Sequence, residues 1–146
     1  MSFSQTSQIY LADTDAAGIL FYPQLFRLAQ QTFELYLSAK ELNLKQLIQD
    51  DLLMPVVHAQ ADYRAPLYLG DSIEIHMGLH RLGRRSLILD YQFSRDAQKV
   101  AFAQVTHVYL KKDTFSATEW PEKWREFWGD LGPIPNLEHS FDRANF

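Results

Sequence analysis

The hydrophobic period of this chain changes at Pro55, and that change decides its architecture. Before it, Tyr22, Leu25, Phe26, Ala29, Phe33, Tyr36 and Leu37 recur at spacings of three and four, the period of a helix with one apolar face. Residues 23–40 therefore predict one helix, roughly 27 Å long at 1.5 Å per residue. A shorter helix is expected over 44–49, capped by Asn43. After Pro55 the period becomes two. Residues 56–64 predict a strand. Ile73, Ile75, Met77 and Leu79 alternate along the next, and Leu87, Leu89, Tyr91 and Phe93 along a third. Gly70-Asp71, Gly83 and Asp96-Ala97-Gln98 mark the turns between them. Val100 to Lys111 is apolar on both parities, as in a central strand buried on both faces. Residues 3–12 predict a further strand ahead of the helix. Long strands joined by short turns imply an antiparallel meander, and one long helix against it gives an α+β domain.

Composition narrows the function classes. The chain has 146 residues, 47% of them hydrophobic, enough for one domain with its own core. A net charge of −4 argues against a nucleic-acid binder, which usually shows a strongly basic face. The absence of cysteine removes disulfides, thiolate nucleophiles and Cys-based zinc sites, and is compatible with a cytoplasmic protein. No apolar run of about 18 residues exists to insert in a membrane, and residues 1–5 do not read as a signal peptide.

The chemistry-bearing stretch is Asp13-Thr14-Asp15-Ala16-Ala17-Gly18-Ile19-Leu20-Phe21-Tyr22-Pro23. It places a carboxylate, Asp15, in a tight loop before a helix that Pro23 opens. Pro is favoured at the first helical position because its missing N–H would be unpaired there anyway. A helix N-terminus presents free N–H groups and partial positive charge. A polarised carbonyl fits between the acid and those donors. Taken alone, Asp15 reads first as an Asx-turn or cap residue; its surroundings favour the reactive reading.

Other motifs carry less. An EF-hand fails because its fifth and twelfth positions would be Ala17 and Gln24. His76 and His80 would lie roughly 13 Å apart on a strand, too far to share an ion. His58 and His107 read as hydrogen-bonded core or pocket residues. Arg84-Arg85 at a hairpin turn is a solvated pair or a grip for a nucleotide phosphate. No nucleophile elbow or phosphate loop is present. Residues 119–129 predict a short helix with Thr118 as cap, Gly129 as stop, and Trp120, Trp124 and Trp128 on one face, packed on the domain or on a partner subunit. The polar end from Gly132 reads as loop or disorder.

The 13–23 stretch, with Asp62-Tyr63-Arg64-Ala65-Pro66-Leu67-Tyr68-Leu69-Gly70-Asp71, resembles the 4-hydroxybenzoyl-CoA thioesterase family of hotdog-fold proteins over roughly residues 5–112. Residues 10–15 and 55–59 are most similar to its cyanobacterial 1,4-dihydroxy-2-naphthoyl-CoA thioesterases, which act in phylloquinone synthesis. The resemblance implies a hotdog domain over 1–112, a curved antiparallel sheet wrapped around the long helix, followed by a tail over 113–146. It implies dimers with active sites at the subunit interface, paired into tetramers. It places the catalytic carboxylate on Asp15 and the carbonyl-polarising donor on the Tyr22 backbone N–H. Gly18 lets substrate approach the backbone, Phe21 and His58 border the acyl pocket, and Arg84 and Arg85 face CoA phosphates. No cofactor or metal is expected. The alternatives are a thioesterase for 4-hydroxybenzoyl-CoA or an aliphatic acyl group, a hotdog dehydratase, and a non-catalytic acyl-CoA-binding module.

Overall fold

The computed structural model describes residues 1–49 and 52–141. Its elements in chain order are β1 (Phe3–Gln8), α1 (Gln24–Ala39), α2 (Leu44–Gln49), β2 (Val56–Tyr63), β3 (Ser72–Leu82), β4 (Ser86–Arg95), β5 (Gln98–Val108), β6 (Leu110–Lys111), β7 (Ser116–Ala117) and α3 (Glu122–Gly129). Five strands form one antiparallel sheet in the order β1-β3-β4-β5-β2, while β6 and β7 form a small separate hairpin.

Helix α1 turns Leu25, Leu28, Ala29, Phe33, Tyr36 and Leu37 onto one face of that sheet. The sheet answers with Ile73, Ile75 and Met77 of β3, Leu87, Leu89, Tyr91 and Phe93 of β4, and Ala101, Ala103 and Val105 of β5. The cross-strand register Ile75↔Phe93↔Ala101 and Met77↔Tyr91↔Ala103 explains the fit. Large residues of β3 and β4 face alanines of β5, which keeps the layer under α1 even. Asn43 caps α2 as expected, its Oδ1 accepting from the Gln46 N–H at 3.3 Å.

Several expectations are corrected. The first strand stops at Gln8 rather than residue 12, because residues Leu11–Asp13 tighten into a 3-10 turn. The meander holds for β3-β4-β5 only. β2 does not pair with β3 but crosses to the opposite edge beside β5. The connecting segment 64–71 is therefore free to pack on the loop around Asp15. β5 ends at Val108, not Lys111: the Leu110 N–H goes to the Leu53 carbonyl at 2.9 Å, and Leu110–Lys111 pairs with Ser116–Ala117 as a separate hairpin. β5 is interior and buried on both parities, but β4 holds the centre.

The Trp-rich helix begins at Glu122, not 119, and Thr118 does not cap it. Pro121 disfavours helical geometry at Trp120 before it, so the helix starts after the proline. All three tryptophans are buried, and Trp128 stacks on Phe33 of α1 at 5.7 Å. The segment after it is loop, one of the two expectations, and it packs on the domain through the buried Leu131 and Ile134. Gly132 bonds Met1 and Leu79 at the sheet edge, and Ile134 then lies on the face opposite α1. A Cβ on Gly78 would stand 2.5 Å from the Ile134 nitrogen, so this crossing needs glycine. His139 stacks on Phe102 at 4.2 Å, with Nε2 in close contact with Asp62 at 2.7 Å, out of hydrogen-bond alignment. The part of the tail over 142–146 lies outside the described residues.

Candidate active site

The loop between the 3-10 turn and α1 is a miniature hairpin. Thr14 pairs with Leu20, the Asp15 N–H donates to the Ile19 carbonyl at 2.9 Å, and the Gly18 N–H returns to the Asp15 carbonyl at 3.0 Å. Gly18 takes φ +74°, where a side chain is strained, and nothing lies within 4 Å of where its Cβ would be. The hairpin is pinned from outside by residues 67–69. Leu20 N–H donates to the Leu67 carbonyl at 2.7 Å and Leu69 N–H to the Gly18 carbonyl at 3.2 Å. The two segments that carry the family resemblance are thus one packed unit.

The two acids of the loop differ in every physical respect. Asp13 is buried, accepts from the Tyr10 N–H at 2.9 Å and pairs with Arg27 of α1 at 2.6 Å. It ties the turn to the helix. Asp15 is exposed. Its Oδ1 accepts from the Ala17 N–H at 2.9 Å and the Ile19 N–H at 3.3 Å, while Oδ2 has no hydrogen bond among the described residues. The Asx-turn contacts therefore use only one oxygen: Oδ1 orients the carboxylate, and Oδ2 is left open.

The donor lies across the same hairpin. Phe21 N–H is used by the Asp13 carbonyl at 2.8 Å, and Pro23 has none to give. The N–H of Tyr22 has no acceptor among the described residues and precedes the first turn of α1. The Tyr22 carbonyl is held from the sheet by the Tyr63 hydroxyl, which donates to it at 2.5 Å. Burial, then the neighbouring Tyr22, pushes the Tyr63 pKa up, which keeps that proton in place. Tyr63 was not singled out from sequence, and a Tyr in a strand carries no signal of such a role. A shallow groove of about 220 Å³ runs beside the loop, lined by Ile19, Leu20, Tyr63, Arg64, Ala65, Pro66 and Leu67. Phe21 and Tyr22 pack edge-to-face at its rim, ring centroids 5.3 Å apart, and both are exposed.

The remaining candidates are not gathered here within one chain. His58 faces the side of β2 away from α1, paired with Thr106 and five residues from Tyr63, roughly 17 Å along a strand. Arg84 and Arg85 lie in the turn at the far end of β3, roughly 35 Å from Asp71 along an extended strand. Arg84 is paired with Glu119, whose carboxyl it holds below the usual range. His76 and His80 are each engaged by an acid, Glu74 at 2.5 Å and Asp90 at 2.9 Å. Among the described residues no group of three or more metal-ligating side chains converges. No helix among them is long and apolar enough to cross a membrane.

Comparison with known proteins places the family and the fold. The chain is 34% identical over 121 residues to a 1,4-dihydroxy-2-naphthoyl-CoA hydrolase from Synechococcus elongatus, spanning 82% of this chain and 89% of that one. It is 31% identical over 133 residues to the enzyme of that name from Synechocystis, spanning 89% and 96%. The crystal structure of a Synechocystis 1,4-dihydroxy-2-naphthoyl-CoA thioesterase superposes with a TM-score of 0.82 at 29% identity, covering 96% of this chain and all of the other. A model of the thioesterase-like superfamily matches residues 9–127, which takes in the Asp15 hairpin, four of the five strands of the sheet (β2 to β5) and most of α3. The chain belongs to the thioesterase-like superfamily and has its hotdog fold.

Proposed function

We propose that this protein hydrolyses an aromatic acyl-CoA thioester, with 1,4-dihydroxy-2-naphthoyl-CoA as the substrate and Asp15 as the reacting acid. One observation carries the reading: a carboxylate with one oxygen fixed and one free sits across a tight hairpin from an unpaired N–H at a helix N-terminus. The thioester oxygen binds at the Tyr22 N–H, where the donor and the helix end stabilise the charge that develops in the transition state. The free Asp15 oxygen attacks the carbonyl carbon directly, or takes a proton from the water that does. In either route the C–S bond breaks, the thiolate leaves and is protonated, and water supplies the oxygen of the released acid. The open space at Gly18 admits the thioester beside the backbone.

The substrate rests on the names of the relatives, and the phylloquinone pathway rests on the family resemblance alone. A homodimer is supported by β2, an edge strand whose residues Val56–Ala59 are exposed. Exposed edges of this kind invite pairing with another chain. Antiparallel pairing of β2 with a second copy sets the Val56 end of one chain beside the Tyr63 end of the other. Arg84 and Arg85 lie at that same Val56 end, two strands inward, and so come toward the partner's reacting loop as CoA-phosphate contacts. His58 would border the subunit seam. Pairing of two such dimers completes the proposed tetramer.

The test is free-thiol release from 1,4-dihydroxy-2-naphthoyl-CoA, 4-hydroxybenzoyl-CoA, benzoyl-CoA and a medium-chain acyl-CoA. Preference for the naphthoyl thioester supports the whole reading. Preference for another keeps the chemistry and sinks the pathway. Tight thioester binding with no turnover would favour the acyl-CoA-binding module instead.

A further inference from the structure

The connecting segment 64–71 decides where the Asp15 carboxylate points. Its Leu67 carbonyl and Leu69 N–H bond Leu20 and Gly18 of the hairpin, and between those bonds Tyr68 pairs with Ile19. The N–H of Ile19 is one of the two donors that orient Asp15 Oδ1. Beyond Leu20 the chain runs on to Phe21 and the Tyr22 N–H. A shift of residues 67–69 therefore reaches both the acid and the donor.

The segment lies between β2 and β3 and belongs to neither strand, so something else must fix it. That residue is Arg95, the last of β4. A two-residue turn through Asp96 and Ala97, at φ 50° and 64°, reverses the chain after it and pairs Arg95 with Gln98. Arg95 Nη1 donates to the Pro66 carbonyl at 2.8 Å and to Asp71 Oδ2 at 2.7 Å. Its guanidinium carbon stands 5.9 Å from the centre of the Tyr68 ring, within cation–π reach. Asp71 Oδ2 also accepts from the Tyr68 N–H at 2.8 Å. Arg95 thus touches the segment before, at and after the residue that pairs with Ile19. None of these contacts is to Asp15 or Tyr22. The guanidinium is planar and directional, so it fixes distance and angle together, which an ammonium on a flexible stem does not. Reaction geometry is sensitive to such fixing, since a displacement of about 1 Å far from the chemistry can lower a rate about 10²-fold.

We propose that Arg95 is a positioning residue for thioester hydrolysis: it holds residues 66–71 in place, and they hold the Asp15 hairpin. The inference rests on the thioesterase reading.

Turnover and amide exchange test it separately. Arg95→Gln should lower kcat on 1,4-dihydroxy-2-naphthoyl-CoA about ten- to hundredfold per folded molecule, with KM changed by less than about threefold. Arg95→Lys keeps the charge without the planar fork and should recover part of that loss. Asp71→Asn should also lower kcat, and the double variant should be little worse than Arg95→Gln alone, because both act through one contact. In hydrogen exchange, the Leu20 amide should exchange at least about tenfold faster in Arg95→Gln, while amides of the β3–β4 ladder keep their wild-type rates. A normal kcat per folded molecule would overturn the proposal. So would an unchanged Leu20 amide, or an equal acceleration of every amide, which would make Arg95 a general stabiliser. If Arg95→Gln does not fold, Arg95→Lys carries both measurements, with the same directions and smaller size. Faster Leu20 exchange in a protein whose wild type releases thiol from no thioester would uphold Arg95's hold on the hairpin and fail the thioesterase reading.

Discussion

Asp13 and Asp15 stand two residues apart with the same side chain, yet one is locked under an arginine and the other is open. The difference comes from the turn between them. Asp13 closes the 3-10 turn, which points its carboxylate back at the Tyr10 N–H and sideways at Arg27. Both oxygens are used, so the residue is structural. Asp15 begins the hairpin, and its carboxylate leans over the loop's own N–H groups, which use only Oδ1. An acid that fixes a loop is spent on the loop. An acid that is itself fixed at one oxygen is available for chemistry.

Substitutions sharpen this contrast. The largest effect is expected from Asp15→Asn, which keeps the Oδ1 contacts but removes the charge. A fall in kcat of about 10²–10⁴, the usual contribution of a positioned acid or base, should come with an unchanged melting temperature. Asp13→Ala should do the reverse. It leaves the Tyr10 N–H without its acceptor and costs about 1–3 kcal/mol in denaturant unfolding. Arg27 is half exposed and recovers water, which keeps the loss from being larger. Gly18→Ala forces a side chain into positive φ and should cost about 1 kcal/mol, with a matching fall in kcat/KM as the hairpin shifts. Tyr63→Phe removes the bond to the Tyr22 carbonyl and should cost about 0.5–1.5 kcal/mol, with a few-fold effect on rate.

Acid titration contrasts the buried His107 with the ion-paired Asp71. His107 has its pKa lowered in the fold by burial, so the unfolded chain binds its proton more readily. Its share of stability is complete above the unfolded value of about 6.5 and declines as the pH drops below it. Asp71 works lower. Burial alone would raise its pKa, but the Tyr68 N–H and Arg95 outweigh burial and lower it. Its contribution holds above about 3.9 and is lost below as the pH approaches the folded value. His107→Leu should abolish the first decline in a melting series and leave the second.

Much of the fold was legible because it depends on periodicity. The three- and four-residue spacing gave α1 to within a residue at each end, and the alternation gave β3 and β4. Pairing was less legible. Nothing in residues 56–63 says that β2 joins β5 rather than β3, since either neighbour suits the same alternation. The tail was misread for a local reason that the sequence does carry: Pro121 dictates where α3 begins. That residues 131–141 cross the sheet edge depends on Gly78 meeting Ile134, a contact between distant positions. At the candidate site, the 13–23 motif pointed to Asp15 and the Tyr22 N–H, and the fold leaves Asp15 Oδ2 and that N–H without hydrogen bonds among the described residues. The roles of Tyr63, Arg27 and Arg95 exist only after the chain has folded.

The central claim is that Asp15, not Asp13, does the chemistry on a thioester. Its most direct test is thiol release from 1,4-dihydroxy-2-naphthoyl-CoA by wild type, Asp13→Asn and Asp15→Asn, each scaled to its folded fraction. The account predicts rapid release by wild type, near-normal release per folded molecule by Asp13→Asn, and almost none by Asp15→Asn. Normal release by Asp15→Asn would contradict it and leave Asp15 as a turn residue.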